Sequence, residues 1–237
     1  MNHGPRQARA FVARFLETYA PRPDRRVVIC PSASSLEAVA LLLRERPDTA
    51  AGIQNVWTQP RGAFTGENAA PMAREAGARY ALVGHSERRH VFGETNADTA
   101  AKCAVVVEND LIPILCVGET LDERADGRAE AVVVEQLRAG IGGVPASRAA
   151  EWIVAYEPVW AIGTGKTASV ADASAMHGVI RSTLAGITGG SADVPILYGG
   201  SVNADNARVL LDGQGIDGLL VGGASLDPIT WAGICMA

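Results

Sequence analysis

Apolar residues follow two alternating rhythms along this chain. Short runs that are apolar nearly throughout occur at residues 26–30, 52–57, 80–83, 112–117, 152–156, 195–198 and 218–221. Between them lie stretches with apolar positions three and four apart, at 35–46, 68–75, 95–109, 128–139, 171–184, 203–211 and 228–235. A continuous apolar run suits a strand buried on both faces, and strands alternating with amphipathic helices predict βα units around a parallel sheet. The start of the chain departs from this rhythm. Phe11, Val12, Phe15, Leu16 and Tyr19 form one helical stripe, with Pro5 near its start and Pro21 beyond its end. Arg6, Arg9 and Arg14 interleave with that stripe and also suit an organelle transit peptide. The apolar spacing favours a surface helix packed on a core. The pattern therefore predicts seven strands and eight helices, and it begins on a helix where a βα array would begin on a strand.

Composition narrows the class. With 237 residues, 48% hydrophobic and 20% charged, the chain is neither disordered nor fibrous. No linker divides it, so one domain is expected over 1–237, slightly short of the ~250 residues typical of a (β/α)8 barrel. No run of about 18 apolar residues is present, so no membrane span is expected. The net charge of −5 disfavours nucleic acid as a partner. Cys30, Cys103, Cys116 and Cys235 are scattered without a C-x-x-C pair, which suits reduced thiols and a cytoplasmic location. Two glycine motifs fail on context. The segment ending Gly165-Lys166-Thr167 has Trp160 where a Walker A loop needs its first glycine, and Gly213, Gly215 and Gly218 precede a strand instead of following one.

Chemistry is concentrated where the predicted strands end. His85 follows the third strand and Glu157 follows the fifth, and in a parallel α/β fold these ends converge. Singly, a strand-end histidine is more often an ordered core residue, and a strand-end glutamate a salt-bridge partner. Glycine-rich turns at Gly163-Thr-Gly165, Gly199-Gly-Ser201 and Gly222-Gly223 follow the last three strands. Each alone suits an ordinary βα loop. Together they suit a phosphate site in which backbone amides approach the anion closely.

The segments Gly62-Ala-Phe-Thr-Gly-Glu67, Gly84-His-Ser-Glu-Arg-Arg89, Pro113-Ile-Leu-Cys-Val-Gly-Glu119, Ala155-Tyr-Glu-Pro-Val-Trp-Ala-Ile-Gly-Thr-Gly-Lys-Thr167, Tyr198-Gly-Gly-Ser-Val-Asn203 and Val221-Gly-Gly-Ala-Ser-Leu226 resemble the triosephosphate isomerase family, in that family's order. The resemblance runs from about residue 26 to the end. It implies a TIM (β/α)8 barrel and interconversion of dihydroxyacetone phosphate and glyceraldehyde 3-phosphate, a step of glycolysis and gluconeogenesis, without metal or cofactor. By it, Glu157 would be the base and His85 the electrophile, the latter a neutral imidazole as is characteristic of the family itself. Ser86 and Glu87 would support that site. Backbone amides of Gly163, Ser201, Gly222 and Gly223 would take the substrate phosphate. Residues 158–168 would form a water-excluding lid latched through Tyr198, Ser201, Gly165 and Ala168. Arg181 and Asp217 would form a buried structural ion pair. The 62–67 loop, with Phe64, Thr65 and Gly66, would insert into a second copy and make a homodimer.

One departure bears on activity. The family pattern opens with a strand ending in Asn-x-Lys, whereas Met1 and Asn2 here align with the residues directly after that lysine. The implied fold is thus a barrel lacking its first strand, and neither Lys102 nor Lys166 lies where the ammonium would be. Either the start has been placed at an internal methionine, or the truncation is natural and the product weakened or inactive. In the second case the chain could be a non-catalytic phosphate-binding or assembly protein on the same scaffold.

Overall fold

The computed structural model describes residues 2–142, 144–162, 167–190 and 193–237. Seven strands form one sheet: β1 (Val27–Ile29), β2 (Thr49–Ile53), β3 (Ala78–Val83), β4 (Ile112–Val117), β5 (Ile153–Tyr156), β6 (Ile196–Tyr198) and β7 (Gly218–Leu219). They pair in sequential order and every pair is parallel. Among the described residues ten α-helices flank them: α1 (Pro5–Thr18), α2 (Leu36–Leu43), α3 (Ala70–Glu75), α4 (Ser86–Phe92), α5 (Asn96–Glu108), α6 (Leu121–Ala125), α7 (Ala129–Gly142), α8 (Val170–Thr188), α9 (Ala207–Leu211) and α10 (Pro228–Met236). This is a (β/α)8-type barrel sheet with seven strands. Among the described residues β1 and β7 are not joined to each other.

Side-chain alternation divides the core. One cluster contains strand residues only, including Tyr80, Leu82, Ile114, Cys116 and Ala155, and lies on the inner face of the sheet. The larger cluster mixes strand residues such as Leu115 and Val117 with helix residues such as Val106 and Leu137, and fills the space between sheet and helices. The first helix joins this outer layer. Ala8, Phe11, Val12 and Phe15 are buried, and α1 packs against both α2 and α10. Its arginines lie on the opposite, exposed side, as an amphipathic surface helix requires.

Three expectations need correction. The second strand is Thr49–Ile53, not 52–57, because its small Thr-Ala-Ala-Gly segment is weakly apolar while the bulkier Val56 and Trp57 belong to the following loop. Helices α4 and α6 were not predicted from periodicity, which is weak in elements of two turns or fewer. Their starts are set instead by caps: His85 Nδ1 accepts the Glu87 amide, and Thr120 with Glu123 forms a capping box. Arg181 and Asp217 do pair, but their side chains are 35% and 40% exposed, so the pair is half-exposed, not buried.

Candidate active site

His85 lies two residues beyond β3, after Gly84, and Glu157 directly follows β5, which places both at the carboxyl rim of the sheet. His85 Nε2 lies 3.0 Å from Glu157 Oε1, and the Ser86 amide donates to Glu157 Oε2 at 2.8 Å. The cap contact sets the imidazole tautomer. The Glu87 amide donates to His85 Nδ1 at 3.3 Å, so Nδ1 carries a lone pair and the ring proton sits on Nε2, facing the carboxylate. Glu87 therefore serves His85 through its amide, while its carboxylate stands on the exposed side of α4.

Glu157 is 2% exposed. Burial pushes its carboxyl above the ordinary range, opposed by His85, the Ser86 amide, the Cys116 thiol and Arg89. Close backbone approach puts it there. A Cβ on Gly118 would stand 1.7 Å from the Glu157 carbonyl oxygen, so only glycine at the end of β4 permits the turn after β5. The turn carrying His85 is braced as closely. Gly84 has φ +70°, its amide donates to Glu94 Oε1 at 3.0 Å, and its carbonyl accepts from Arg89 Nε at 2.7 Å. Arg89 also donates to Asn96 Oδ1 and to the Cys116 carbonyl, tying β3 to β4.

A second buried carboxylate was not singled out from the sequence. Glu119 is fully buried and accepts from Tyr156 Oη at 3.1 Å, Trp160 Nε1 at 2.8 Å and Arg124 at 3.1 Å. Burial, followed by the Glu119 charge, pushes the Tyr156 hydroxyl far above its ordinary range. Glu119 lies two residues beyond the end of β4, so the strand-end rule that marks His85 and Glu157 marks it as well. Lys102 is buried and spent elsewhere, bonded to Glu94 and to Asn55 Oδ1.

The expected phosphate and lid residues fall partly on the same rim. Gly163 and Gly165 lie outside the described residues. The Ser201 hydroxyl donates to the Ala161 carbonyl at 2.6 Å, and Tyr198 Oη accepts the Ala168 amide, so both described flanks of the 158–168 segment are tied to the β6 end. Burial pushes the Tyr198 hydroxyl up to about 12. Gly222 and Gly223 are exposed just beyond β7, with open space where a Cβ would stand. In the 62–67 loop, Phe64, Thr65 and Gly66 are exposed, Gly66 has φ +95°, and the Phe64 ring lies 5.5 Å from that of Trp57. Among the described residues no cluster of three or more His, Cys, Asp or Glu is arranged to hold a metal ion.

A parallel βα sheet with a buried carboxylate and an oriented imidazole converging on its carboxyl rim defines an α/β-barrel enzyme. The family model described as triosephosphate isomerase matches residues 1–237. Proteins named triosephosphate isomerase are similar over most of the chain. That of Marinobacter nauticus is 51% identical over 212 residues, covering 90% of this chain and 83% of its own. That of Roseiflexus sp. is 47% identical over 222 residues, covering 93% and 87%, and that of Symbiobacterium thermophilum is 45% identical over 233 residues, covering 98% and 91%. The chain belongs to the triosephosphate isomerase family and is, by family, an isomerase.

Proposed function

We propose that the chain interconverts dihydroxyacetone phosphate and glyceraldehyde 3-phosphate by proton transfer through an enediolate. The observation that carries this reading is the Glu157 carboxylate held between His85 Nε2 at 3.0 Å and the Ser86 amide at 2.8 Å. A buried carboxylate with a raised affinity for its proton suits a general base, and an Nε2–H donor suits polarisation of a carbonyl and stabilisation of the enediolate oxygen. On this reading Glu157 leaves its resting bonds, removes the proton next to the substrate carbonyl and returns it to the neighbouring carbon. His85 Nε2–H gives its proton to the oxygen on which charge develops and takes back the proton of the neighbouring hydroxyl, so the two oxygens exchange one proton as the two carbons do. Amides of Ser201, Gly222 and Gly223, with Gly163, take the phosphate. Segment 158–168 covers the site and keeps water from the enediolate. The enzyme works as a homodimer through the 62–67 loop, in the cytoplasm. Among the described residues no helix is long and apolar enough to cross a membrane.

The polypeptide 1–237 carries no Asn-x-Lys segment, and Lys102 is bonded to Glu94 and Asn55. Loss of one preorganised donor costs about 2.7–4 kcal/mol, so this polypeptide turns over at least roughly 100-fold more slowly than a relative carrying that lysine. The same observation favours a second reading, a non-catalytic phosphate-binding or assembly protein on this scaffold. Exchange of solvent deuterium into dihydroxyacetone phosphate by the purified chain of verified mass separates the two. Slow exchange abolished by Glu157→Gln supports the isomerase; no exchange above the protein-free rate, with phosphate still bound, supports the second reading. Near-normal turnover refutes the expected impairment.

A further inference from the structure

We infer that Gln136 is a positioning residue for the proposed base: its side-chain amide clamps the backbone of Gly118, and Gly118 in turn fixes where the backbone of Glu157 stands. Gln136 touches no reacting atom, and its role rests on the isomerase reading.

The β4–β5 ladder runs on past the strand ends. The Glu157 amide donates to the Val117 carbonyl at 2.7 Å, and the Val159 amide to the Glu119 carbonyl at 3.0 Å. Successive residues of a central strand turn their backbone groups to opposite neighbours, so Gly118, between Val117 and Glu119, faces the β3 side. No strand is available there. The β3–β4 pairing ends at Val83 and Leu115, and Gly84 turns away with φ +70°, its own amide and carbonyl bonded to Glu94 and Arg89.

Side chains complete that edge of β4. Arg89 donates to the Cys116 carbonyl at 3.2 Å. Two residues further on, the Gly118 amide donates to Gln136 Oε1 at 2.8 Å, and Gln136 Nε2 donates to the Gly118 carbonyl at 3.1 Å. One acceptor and one donor on a planar amide reproduce what a residue of an adjacent strand would present. Helix α7, which carries Gln136, is itself seated firmly. Val133 and Leu137 are fully buried, and a Cβ on Gly140, one turn after Gln136, would stand 2.6 Å from Leu115 Cδ2.

The clamp reaches Glu157 because the next contact is backbone on backbone. A Cβ on Gly118 would stand 1.7 Å from the Glu157 carbonyl oxygen, and a Cβ on Gly199 would stand 3.0 Å from Glu157 Cγ. Glu157 is thus gripped between two glycines, of which Gln136 holds one. Without Gln136 the buried amide and carbonyl of Gly118 lose their partners, a cost that favours movement of the 117–119 segment toward other donors and acceptors. Glu157 would move with it, away from His85 Nε2 at 3.0 Å and the Ser86 amide at 2.8 Å.

The test compares the whole chain with Gln136→Met, which keeps length and volume but neither hydrogen bond, and with Leu137→Ala, which loosens α7 at the neighbouring position. Gln136→Met is expected to lower kcat by about 10–100-fold with KM within about twofold, and to shift the nitrogen-15 imidazole signal of His85 Nε2–H, read without substrate. Leu137→Ala is expected to lower the urea midpoint and leave both readouts unchanged. The inference is overturned if Gln136→Met keeps kcat within about twofold, if the His85 signal stays in place, or if Leu137→Ala moves both as far. Where Gln136→Met does not fold, Gln136→Asn decides. One methylene shorter, it reaches at most one of the two Gly118 groups, so a smaller loss of the same kind supports the inference, and an unchanged rate and signal overturn it. If the unaltered chain turns nothing over, the isomerase reading fails by itself, and the His85 signal still decides the role of Gln136.

Discussion

The Nε2 of His85 faces Oε1 of Glu157 at 3.0 Å, joining the two strand-end residues directly. The second carboxylate oxygen takes the Ser86 amide, so the resting base is held by the turn and the helix start that present His85. One short segment, Gly84 to Ser86, thereby supplies both the proposed electrophile and the resting support of the proposed base.

Removing the base should remove proton transfer. Glu157→Gln is expected to lower kcat by about 10²–10⁴-fold, the usual range for general base catalysis. Because burial raises the Glu157 carboxyl and the ionised form is the active one, kcat/KM of the unaltered chain should fall with decreasing pH around a midpoint above the ordinary 4.5. An acid limb centred at or below 4.5 would contradict that environment.

Gly118→Ala should damage the site from outside the chemistry. The added Cβ would meet the Glu157 backbone, not a flexible side-chain end, so β4 or the turn after β5 must shift. Overpacking of this kind costs about 1–3 kcal/mol, and a misplacement of about 1 Å costs about 100-fold in rate. Urea midpoints and kcat measure the two effects; an unchanged midpoint and rate would show that the approach is looser than it stands.

Glu119→Leu leaves the buried Tyr156 hydroxyl without its acceptor and takes a partner from Trp160 and Arg124. The Tyr156 loss alone should cost about 1–3 kcal/mol, with Glu119→Gln, which keeps a carbonyl acceptor, costing less. Denaturation of the two variants checks the order. Equal losses would mean that volume, not hydrogen bonding, is what Glu119 contributes.

His177 is fully buried, with Nδ1 2.9 Å from the Gly215 carbonyl and Nε2 without a hydrogen-bond partner among the described residues. Burial lowers its pKa below the ordinary 6.5. The unfolded chain then binds the proton more readily, so the stability associated with neutral His177 is fully present above about pH 6.5 and is lost as pH falls toward the depressed folded value. Urea midpoints between pH 7 and 5 should decline more steeply for the unaltered chain than for His177→Gln. Parallel curves would rule this out.

How much of this was legible beforehand varied with range along the chain. Seven strands in parallel order and the stripe Phe11, Val12, Phe15 and Tyr19 follow from periodicity, because burial selects apolar residues one element at a time. Helix α4 did not show, since its two turns carry little pattern and its cap is a histidine side chain. Lys102 illustrates the limit from the other side: an unremarkable helix cation by sequence, it is buried between Glu94 and Asn55, and only the packing of α5 against the rim assigns it those partners.

The sequence alone determined the βα order, the family and the two residues at strand ends, because these depend on local pattern and on motifs that are contiguous in the chain. The tertiary structure decided what those residues touch. The proton on His85 Nε2, the burial of Glu157 and the partners of Glu119 all arise from the packing of elements distant in sequence. That packing brings groups within hydrogen-bond reach in ways that no single segment encodes.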